Sequence, residues 1–152
     1  MSDCCSKNET NNASELCPSC NLKGKKVKII TLKSMLKPIV LNKLNASLTH
    51  YFCPTHNCNV VYYDTCKKMY LLSEVKVSVH QKDNSSNVPI CYCFGWTKEK
   101  IEQYIEKELS PYPVDHIREN IKEDRCGCEV NNPQGRCCLG NVTGYIKDLT
   151  II

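Results

Sequence analysis

Four cysteines in the first half of the sequence have the spacing of a zinc site. Cys17 and Cys20 are separated by two residues, and Cys53 and Cys58 by four. Two tight turns of this kind can each supply a pair of thiolates, and structural zinc is held by four such ligands in a tetrahedron. We therefore predict one Zn²⁺ bound by Cys17, Cys20, Cys53 and Cys58. The lysine-rich segment after Cys20 would offset the negative charge of this four-thiolate site.

Two histidines and a possible redox motif leave alternatives open at this site. His50 and His56 could each replace one thiolate, although a solvated loop histidine is the commoner role for such a residue. The residues 17–20, CPSC, also match a dithiol redox motif. That motif belongs between a strand and a long helix, whereas Lys23-Gly24-Lys25 favours a turn here. A closed structural zinc site is the interpretation that we favour.

The second half of the sequence carries six cysteines in closely spaced pairs. They stand before and after two helical patterns, and they are Cys91, Cys93, Cys126, Cys128, Cys137 and Cys138. Two antiparallel helices of similar length return the chain to its starting point, so these sulfurs are expected to meet. A [2Fe-2S] cluster takes four thiolates, and a C-x-C pair can offer two of them. Three glycines would let the backbone approach the cluster: Gly127, Gly135 and Gly140.

The elements that must position the first four cysteines are mostly strands. Residues 1–14 are polar, lack apolar periodicity and are predicted to be a disordered tail. Residues 15–82 are predicted to be a small β-rich zinc-knuckle module. Its predicted strands cover 27–30, 60–63 and 75–79, and its predicted helical turns cover 32–36 and end before Pro38.

The elements that must position the other cysteines are helices. The polar stretch 81–87 is the predicted boundary, and residues 88–152 are predicted to be a small helical module. One helix is capped by Thr97, a second begins near Pro113, and a third follows Cys138. Because a β-rich part precedes a helical part, the predicted fold class is α+β.

The order of these motifs resembles the amino-terminal domain of the CopZ-type copper chaperone family. In the second half, the resemblance rests on Cys91-Tyr-Cys93-Phe94 and on the stretch 128–140, CEVNNPQGRCCLG. In the first half, it rests on the CPSC motif, on TLK at 31–33, and on Phe52-Cys53 and Cys58 followed by VVY. The resemblance extends from about Cys17 to Thr143, which is nearly all of the chain expected to be ordered.

The resemblance implies two inorganic centres. One is the zinc site, and the other is a [2Fe-2S] cluster in a helical module similar to bacterioferritin-associated ferredoxin. Carried over by position, the cluster ligands are Cys91, Cys93, Cys128 and Cys138. The spacing of the cysteines leaves open an exchange of Cys128 for Cys126, or of Cys138 for Cys137. The implied function is one-electron transfer linked to metal handling, with reduction of Cu(II) to Cu(I) as one use.

The sequence departs from the family in one respect. A full-length chaperone of this kind continues into a heavy-metal-associated domain with a Met-x-Cys-x-x-Cys loop, and this sequence contains no such motif. The copper site of that domain is therefore expected to be missing. Cys4 and Cys5 are the candidates to take its place, because two exposed thiols can bind Cu⁺ linearly. The implied partners are metal ions and a copper-transporting ATPase or copper-carrier protein, together with an unidentified electron donor.

Composition limits the other function classes. The net charge of +4 is too small to imply nucleic acid binding. Residues 17–80 hold ten lysines against two acidic residues, so a non-redox zinc module that binds nucleic acid or protein is the alternative. Few aromatic residues alternate with these lysines, which makes nucleic acid an improbable partner. No motif of an enzyme active site, no secretory signal and no membrane-spanning run is found, so an electron- or metal-transfer protein of the cytoplasm is expected.

Overall fold

The first half of the chain is built on a four-stranded antiparallel sheet. The computed structural model describes residues 15–150, so the predicted tail 1–14 lies outside the described residues. The strands follow one another in the sheet in the order of the sequence. They are β1 (Lys25–Val27), β2 (His50–Phe52), β3 (Val60–Asp64) and β4 (Met69–Leu71). The strand predicted at 60–63 is confirmed as β3.

Strand β3 is buried on both faces. All five of its residues are buried, and a β-bulge lies between Val60 and Tyr62. Tyr62 belongs to the main hydrophobic core on one face, whereas Val60 and Tyr63 pack against cysteine side chains on the other. A strand covered on both faces needs consecutive apolar residues, which the run VVYY supplies. The sheet therefore separates the main core from the first set of thiols.

Two short helices cover the core face of the sheet, α1 (Ile29–Met35) and α2 (Pro38–Leu41). The strand predicted at 27–30 is wrong beyond Val27, because α1 already begins at Ile29. Thr31, Leu32 and Met35 are the buried residues of α1, and this spacing suits a helix better than a strand. Pro38 ends the helical run as predicted, and it also starts α2 as its first residue.

The strand predicted at 75–79 does not form. A 3₁₀ turn follows β4, and Val75 makes an isolated bridge to Leu36. Val75 and Val79 are buried and Val77 is partly buried. The alternating valines therefore mark side chains that point into the core. The backbone of this segment pairs with the end of α1 instead of with a strand. The Lys76 N–H, for example, donates to the Met35 carbonyl at 2.7 Å.

The second half contains a short hairpin and four helices. These elements are β5 (Pro89–Cys91), β6 (Trp96–Thr97), α3 (Lys98–Glu106), α4 (Pro113–Lys122), α5 (Cys128–Asn131) and α6 (Leu139–Thr150). The three predicted helices are confirmed. Thr97 Oγ1 accepts from the Lys100 N–H at 3.1 Å, Pro113 is the first residue of α4, and α6 begins directly after Cys138. Together with the sheet, these helices make the fold α+β, as predicted.

The helices of the second half pack around α6. The sequence predicted a hairpin of two helices, whereas α3 and α4 each lie against α6. Ile101, Ile117 and Val142, one from each helix, are almost fully buried in the shared core. Trp96 closes this core, and its Nε1–H donates to His116 Nδ1 at 3.1 Å. Helix α6 therefore helps to bring the cysteine-bearing segments together.

The two halves contact each other through side chains. Helix α1 packs on α5, and Thr31 Oγ1–H donates to the Glu129 carbonyl at 2.7 Å. The hydroxyl of Tyr62 donates to the Pro133 carbonyl. The predicted boundary at 81–87 lies between a core formed by residues 27–79 and a core formed by residues 90–146, and these module bounds stay a prediction. Within the described residues, every helix is too short or too polar to cross a membrane.

Candidate metal centres

The first thiol group, Cys17, Cys20, Cys53 and Cys58, is compact. All four Sγ atoms lie within 4.8 Å of one another. Cys17 Sγ is 3.8 Å from Cys58 Sγ, and Cys20 Sγ is 3.7 Å from Cys53 Sγ. Zinc bonded to four thiolates at about 2.3 Å requires sulfurs roughly 3.8 Å apart at the corners of a tetrahedron. The four sulfurs therefore fit a zinc ion without rearrangement.

Two backbone turns hold this group at one edge of the sheet. In the first turn, the Cys17 N–H donates to the Leu22 carbonyl at 3.0 Å, and Asn21 has a φ of 62°. In the second turn, the Cys53 N–H donates to the Val61 carbonyl at 2.8 Å, which continues the pairing of β2 with β3. Each pair of thiols thus extends from a hydrogen-bonded turn, as the spacing predicts.

The connecting segment, residues 76–88, places a lysine against the first thiol group. Lys82 Nζ lies 3.7 Å from Cys53 Sγ and donates to the carbonyls of Thr55 and Cys58 at 2.7 and 3.0 Å. The sequence predicted charge compensation from the lysines after Cys20, but the lysine in contact with a thiol is Lys82. Its segment has the polar composition of a linker, so nothing in the cysteine spacing indicates this contact.

Burial controls the protonation of the first thiol group. Burial raises the pKa of Cys17 to about 12, and burial also raises the pKa of Cys53, although the charge of Lys82 opposes that rise. Burial acts on Cys20 in the same direction, but hydrogen bonding with Thr55 and with neighbouring groups lowers its pKa to about 7. A buried group of thiols that resists ionisation can release its protons when a cation binds, because the metal supplies the missing positive charge.

Neither histidine alternative joins this group. His50 is buried in β2, its ring centroid lies 6.4 Å from that of Tyr70, and neither of its ring nitrogens has a hydrogen-bond partner among the described residues. Burial lowers the pKa of His50, so the neutral ring is favoured. His56 is exposed, and its Nδ1 lies 3.1 Å from the Gln81 carbonyl. The compact group consists of thiols alone.

The second thiol group, Cys91, Cys93, Cys128 and Cys138, also comes together. Cys93 Sγ lies 3.6 Å from Cys128 Sγ, and Cys138 interacts electrostatically with both Cys91 and Cys128. These cysteines come from three separate parts of the chain. The sequence placed them in loops, whereas Cys91 is the last residue of β5 and Cys128 is the first residue of α5.

Backbone and amide donors point at the sulfurs of the second thiol group. The Gly127 N–H donates to Cys93 Sγ at 3.2 Å, and Asn131 Nδ2 lies 3.6 Å from the same sulfur. Such N–H···S bonds stabilise thiolates and tune iron–sulfur centres, so the donor set fits a cluster. Of the three glycines expected to assist, Gly127 does so, whereas Gly135 packs against Thr31 and Gly140 has open space around it.

Protonation is uneven within the second thiol group. Hydrogen bonding from the Cys138 thiol lowers the pKa of Cys128 to about 6, and it also lowers the pKa of Cys91. The same bonds raise the pKa of Cys138 itself, while burial raises the pKa of Cys93 to about 11. The thiols of Cys91 and Cys128 therefore ionise more readily than those of Cys93 and Cys138, which would lose their protons when a cation binds.

The remaining cysteines occupy different positions. Cys126 and Cys137 lie beside the second thiol group, the first partly buried and the second exposed, and both are free of disulfides. Cys66, in the turn after β3, is disulfide-bonded. The copper candidates Cys4 and Cys5 lie outside the described residues.

The basic surface proposed for the alternative function is partly used within the chain. Lys28 forms an ion pair with Glu129 of α5, and Arg136 Nη2–H donates to the Lys26 carbonyl at 2.7 Å. One charge of the lysine-rich segment is therefore paired at the junction of the two halves and is less available to a polyanion.

Comparisons with known proteins support a zinc site at the first thiol group. Residues 14–76 match a family model described as a zinc binding domain, zf_CopZ. Among solved structures, the chain is similar to the X-ray structure of the Archaeoglobus fulgidus CopZ N-terminal domain, with 26% sequence identity and a TM-score of 0.70. The match covers 85% of this chain and 95% of that one. No curated protein matches the sequence. The first part of the chain is therefore similar to zinc-binding domains of the CopZ type.

Proposed function

We propose that the protein is a metallochaperone-like electron carrier with a structural zinc ion and a [2Fe-2S] cluster. The observation that carries this proposal is the convergence of Cys91, Cys93, Cys128 and Cys138 from three parts of the chain, with N–H donors pointing at their sulfurs. All six closely spaced cysteines are free of disulfides, and Cys91, Cys128 and Cys138 are buried, which favours a bound metal centre. The similarity to the CopZ N-terminal domain supports the same assignment.

The first thiol group is assigned a structural role. Four buried or partly buried sulfurs would fill the coordination sphere of zinc, and such closed sites hold a fold together. Here the zinc would join the turn before β1 to the turn between β2 and β3 and would support the buried face of β3. Zinc at the first thiol group would then stabilise the fold, and the second thiol group would carry out electron transfer.

The second thiol group is assigned to electron transfer. A bound [2Fe-2S] cluster supplies a single electron at a potential set by its surroundings. The chain contributes the four thiolates, the N–H donors that stabilise their charge, and the apolar packing of Trp96 and Ile90 that limits access of water. Because Cys93 and Cys126 are partly exposed, one side of the centre remains open to an electron donor or acceptor.

Copper is the substrate that we propose for this electron. One electron from the reduced cluster would convert Cu(II) into Cu(I), the form that soft thiolate ligands accept. A separate electron donor, which the chain does not identify, would then supply one new electron to the oxidised cluster. The proposed recipient of the Cu(I) ion is a copper-transporting ATPase or a copper-carrier protein.

Metal analysis of anaerobically purified protein tests the proposal. We expect iron, acid-labile sulfide and zinc, with a visible chromophore that is bleached by one electron per chain. Cys128→Ser and Cys138→Ser should each destroy the chromophore, whereas Cys126→Ser and Cys137→Ser, the matched controls, should retain it. A colourless protein that contains zinc alone would contradict the electron-transfer function. Loss of the cluster in a control variant would instead correct the ligand set.

A further inference from the structure

A cavity of about 340 Å³ lies where the two halves of the chain meet. Lys25 of β1 and Phe52 of β2 line it from the first half, and the connecting segment contributes Gln81. From the second half it is lined by Arg136, in the loop before α6, and by Asn141 of α6. Cavities of this size hold small organic molecules. We refer to it as the junction cavity.

The charged side chains that line the junction cavity are both positive. They belong to Lys25 and Arg136, and no aspartate or glutamate of the described residues lines the cavity. Neither cation is neutralised by an ion pair, because the ion pairs within residues 15–150 are Lys23–Glu15 and Lys28–Glu129. A concave surface with one sign of charge concentrates solutes of the opposite sign. The junction cavity therefore favours an anion.

A hydrogen bond fixes one of the two cations at the boundary between the halves. Arg136 Nη2–H donates to the Lys26 carbonyl at 2.7 Å, which holds the guanidinium against β1, the strand that carries Lys25. Because this bond uses only one N–H group of the guanidinium, other N–H groups can bind a carboxylate or a phosphate. The two cations can therefore act on one ligand from different halves of the chain.

A series of amide side chains supplies the uncharged polar part of the junction cavity. Gln81 Nε2–H donates to Gln134 Oε1 at 2.7 Å, and Gln134 Nε2–H donates to Asn141 Oδ1 at 2.8 Å. Since Asn141 Oδ1 is engaged in this series, the Nδ2 group of Asn141 is the end of the amide left to donate to a ligand. Phe52 and Pro54 add apolar lining, which favours a ligand with a carbon skeleton over an inorganic ion.

We propose that the junction cavity binds a small organic dianion, with one acidic group on Lys25 and the other on Arg136. Carboxylate and phosphate groups share the chemistry that these cations and the Asn141 amide recognise. The bound dianion would join β1 to the loop before α6 and would stabilise the folded chain by mass action. Such binding requires no particular metal at either thiol group and is independent of the proposed electron transfer.

Isothermal titration calorimetry of the full chain, purified anaerobically with its metals, tests this site. The dianionic probes are succinate and glycerol 3-phosphate, and acetate at the same ionic strength is the monoanionic control. We expect a dianion to bind more tightly than acetate, and Lys25→Gln and Arg136→Gln each to weaken its binding about tenfold, as for loss of a hydrogen bond to a charged group. Lys33→Gln, which removes an exposed lysine of α1 outside the cavity, should leave binding unchanged.

Asn141→Asp tests the same site with a side chain of the same shape. Aspartate keeps an oxygen acceptor for Gln134, so the fold should be retained, whereas its negative charge should abolish binding of the dianion. Zinc content and thermal unfolding are measured for every variant to verify that each remains folded.

Two results would overturn the proposal. One is that the wild-type protein binds neither dianion more tightly than acetate. The other is that the wild type, Lys25→Gln and Arg136→Gln bind the dianion equally, which would place the anion elsewhere. Tighter binding of succinate supports the site and identifies its ligand as a polycarboxylate, and tighter binding of glycerol 3-phosphate supports it with a phosphate compound as the ligand.

Discussion

The pKa of a cysteine thiol in this molecule depends on what its sulfur contacts. Cys17 is buried beside other thiols, and burial raises its pKa to about 12. Cys128 is also buried, yet hydrogen bonds from Cys138 lower its pKa to about 6. A thiolate at Cys128 would bind incoming iron readily, whereas Cys17 must lose its proton to the metal that binds it.

Lys82 is expected to slow the release of zinc. Its ammonium group lies 3.7 Å from Cys53 Sγ and donates to two carbonyls. Lys82→Met should therefore destabilise the negatively charged four-thiolate zinc site. We expect zinc transfer to a chelator to become about tenfold faster, in the range typical of groups that support metal ligands. Lys82→Arg should restore much of the effect, and Lys76→Met, an exposed lysine of the same segment, should change nothing. Equal release rates for Lys82→Met and the wild-type protein would contradict this role.

At the residue scale, the spacing of cysteines in the sequence predicts the metal-binding thiols more accurately than it predicts the residues that contact them. The four members of the first thiol group could be chosen from C-x-x-C and C-x₄-C spacing, because a tight turn necessarily brings such pairs together. Choosing Cys128 over Cys126 required a family resemblance, since both residues belong to the same C-x-C pair. Lys82 and Asn131 could not be chosen, because their contacts with sulfur depend on how distant segments fold back.

At the scale of elements, apolar periodicity predicts helices more accurately than strands. Helix α3 has a capping threonine and apolar residues at helical spacing, so both its type and its beginning are predicted. The valines at 75–79 alternate like a strand, but their backbone bonds to the end of α1 instead of to another strand. Alternation shows which side chains are buried, and it does not show where the backbone hydrogen bonds go.

The loop between α5 and α6 should tolerate no side chain at Gly135. This glycine has a φ of +70°, and a Cβ there would lie 2.9 Å from Thr31 Oγ1, the atom that donates to the Glu129 carbonyl. Gly95 is a matched control, because its φ is +72° and nothing lies within 4 Å of its added Cβ. Gly95→Ala should cost roughly 1–2 kcal/mol for the left-handed conformation alone. Gly135→Ala should cost more in urea unfolding, and equal losses for the two variants would contradict the steric argument.

At the scale of the whole molecule, the connecting segment behaves as part of the structure. The His80 N–H donates to the Tyr92 hydroxyl at 3.0 Å, and Lys98 Nζ donates to the Asp83 carbonyl at 3.0 Å. Gln81 Nε2–H donates to Gln134 Oε1 at 2.7 Å. The polar composition of residues 81–87 predicts a linker, because composition alone cannot reveal that these polar groups bond to both halves.

Protonation of His80 is expected to destabilise the folded chain. Burial, and then the charge of Lys98, lower the pKa of His80 from 6.5 to about 4. Because the unfolded state takes up a proton at a higher pH than the folded state, stability falls as the pH decreases through this interval. From about pH 7 to about pH 5 the wild-type protein should lose about 2 kcal/mol more than His80→Gln.

The two proteins must be compared under identical metal conditions, because protonation of the cysteine ligands destabilises both equally. Urea unfolding at the two pH values provides the measurement. His50, whose pKa burial also lowers, is present in both proteins and cancels in the difference. Parallel pH dependence in the wild type and His80→Gln would contradict the prediction.

The contacts of Lys82 have a consequence for the order in which the protein matures. Lys82 donates to the carbonyls of Thr55 and Cys58, and the Asp83 carbonyl accepts from Lys98 at the start of α3. The same segment bonds to Tyr92, between Cys91 and Cys93. In a newly made chain without zinc, the contacts that hold this segment would be weakened. We therefore expect zinc to bind first and the iron–sulfur cluster to be inserted after the zinc site has formed.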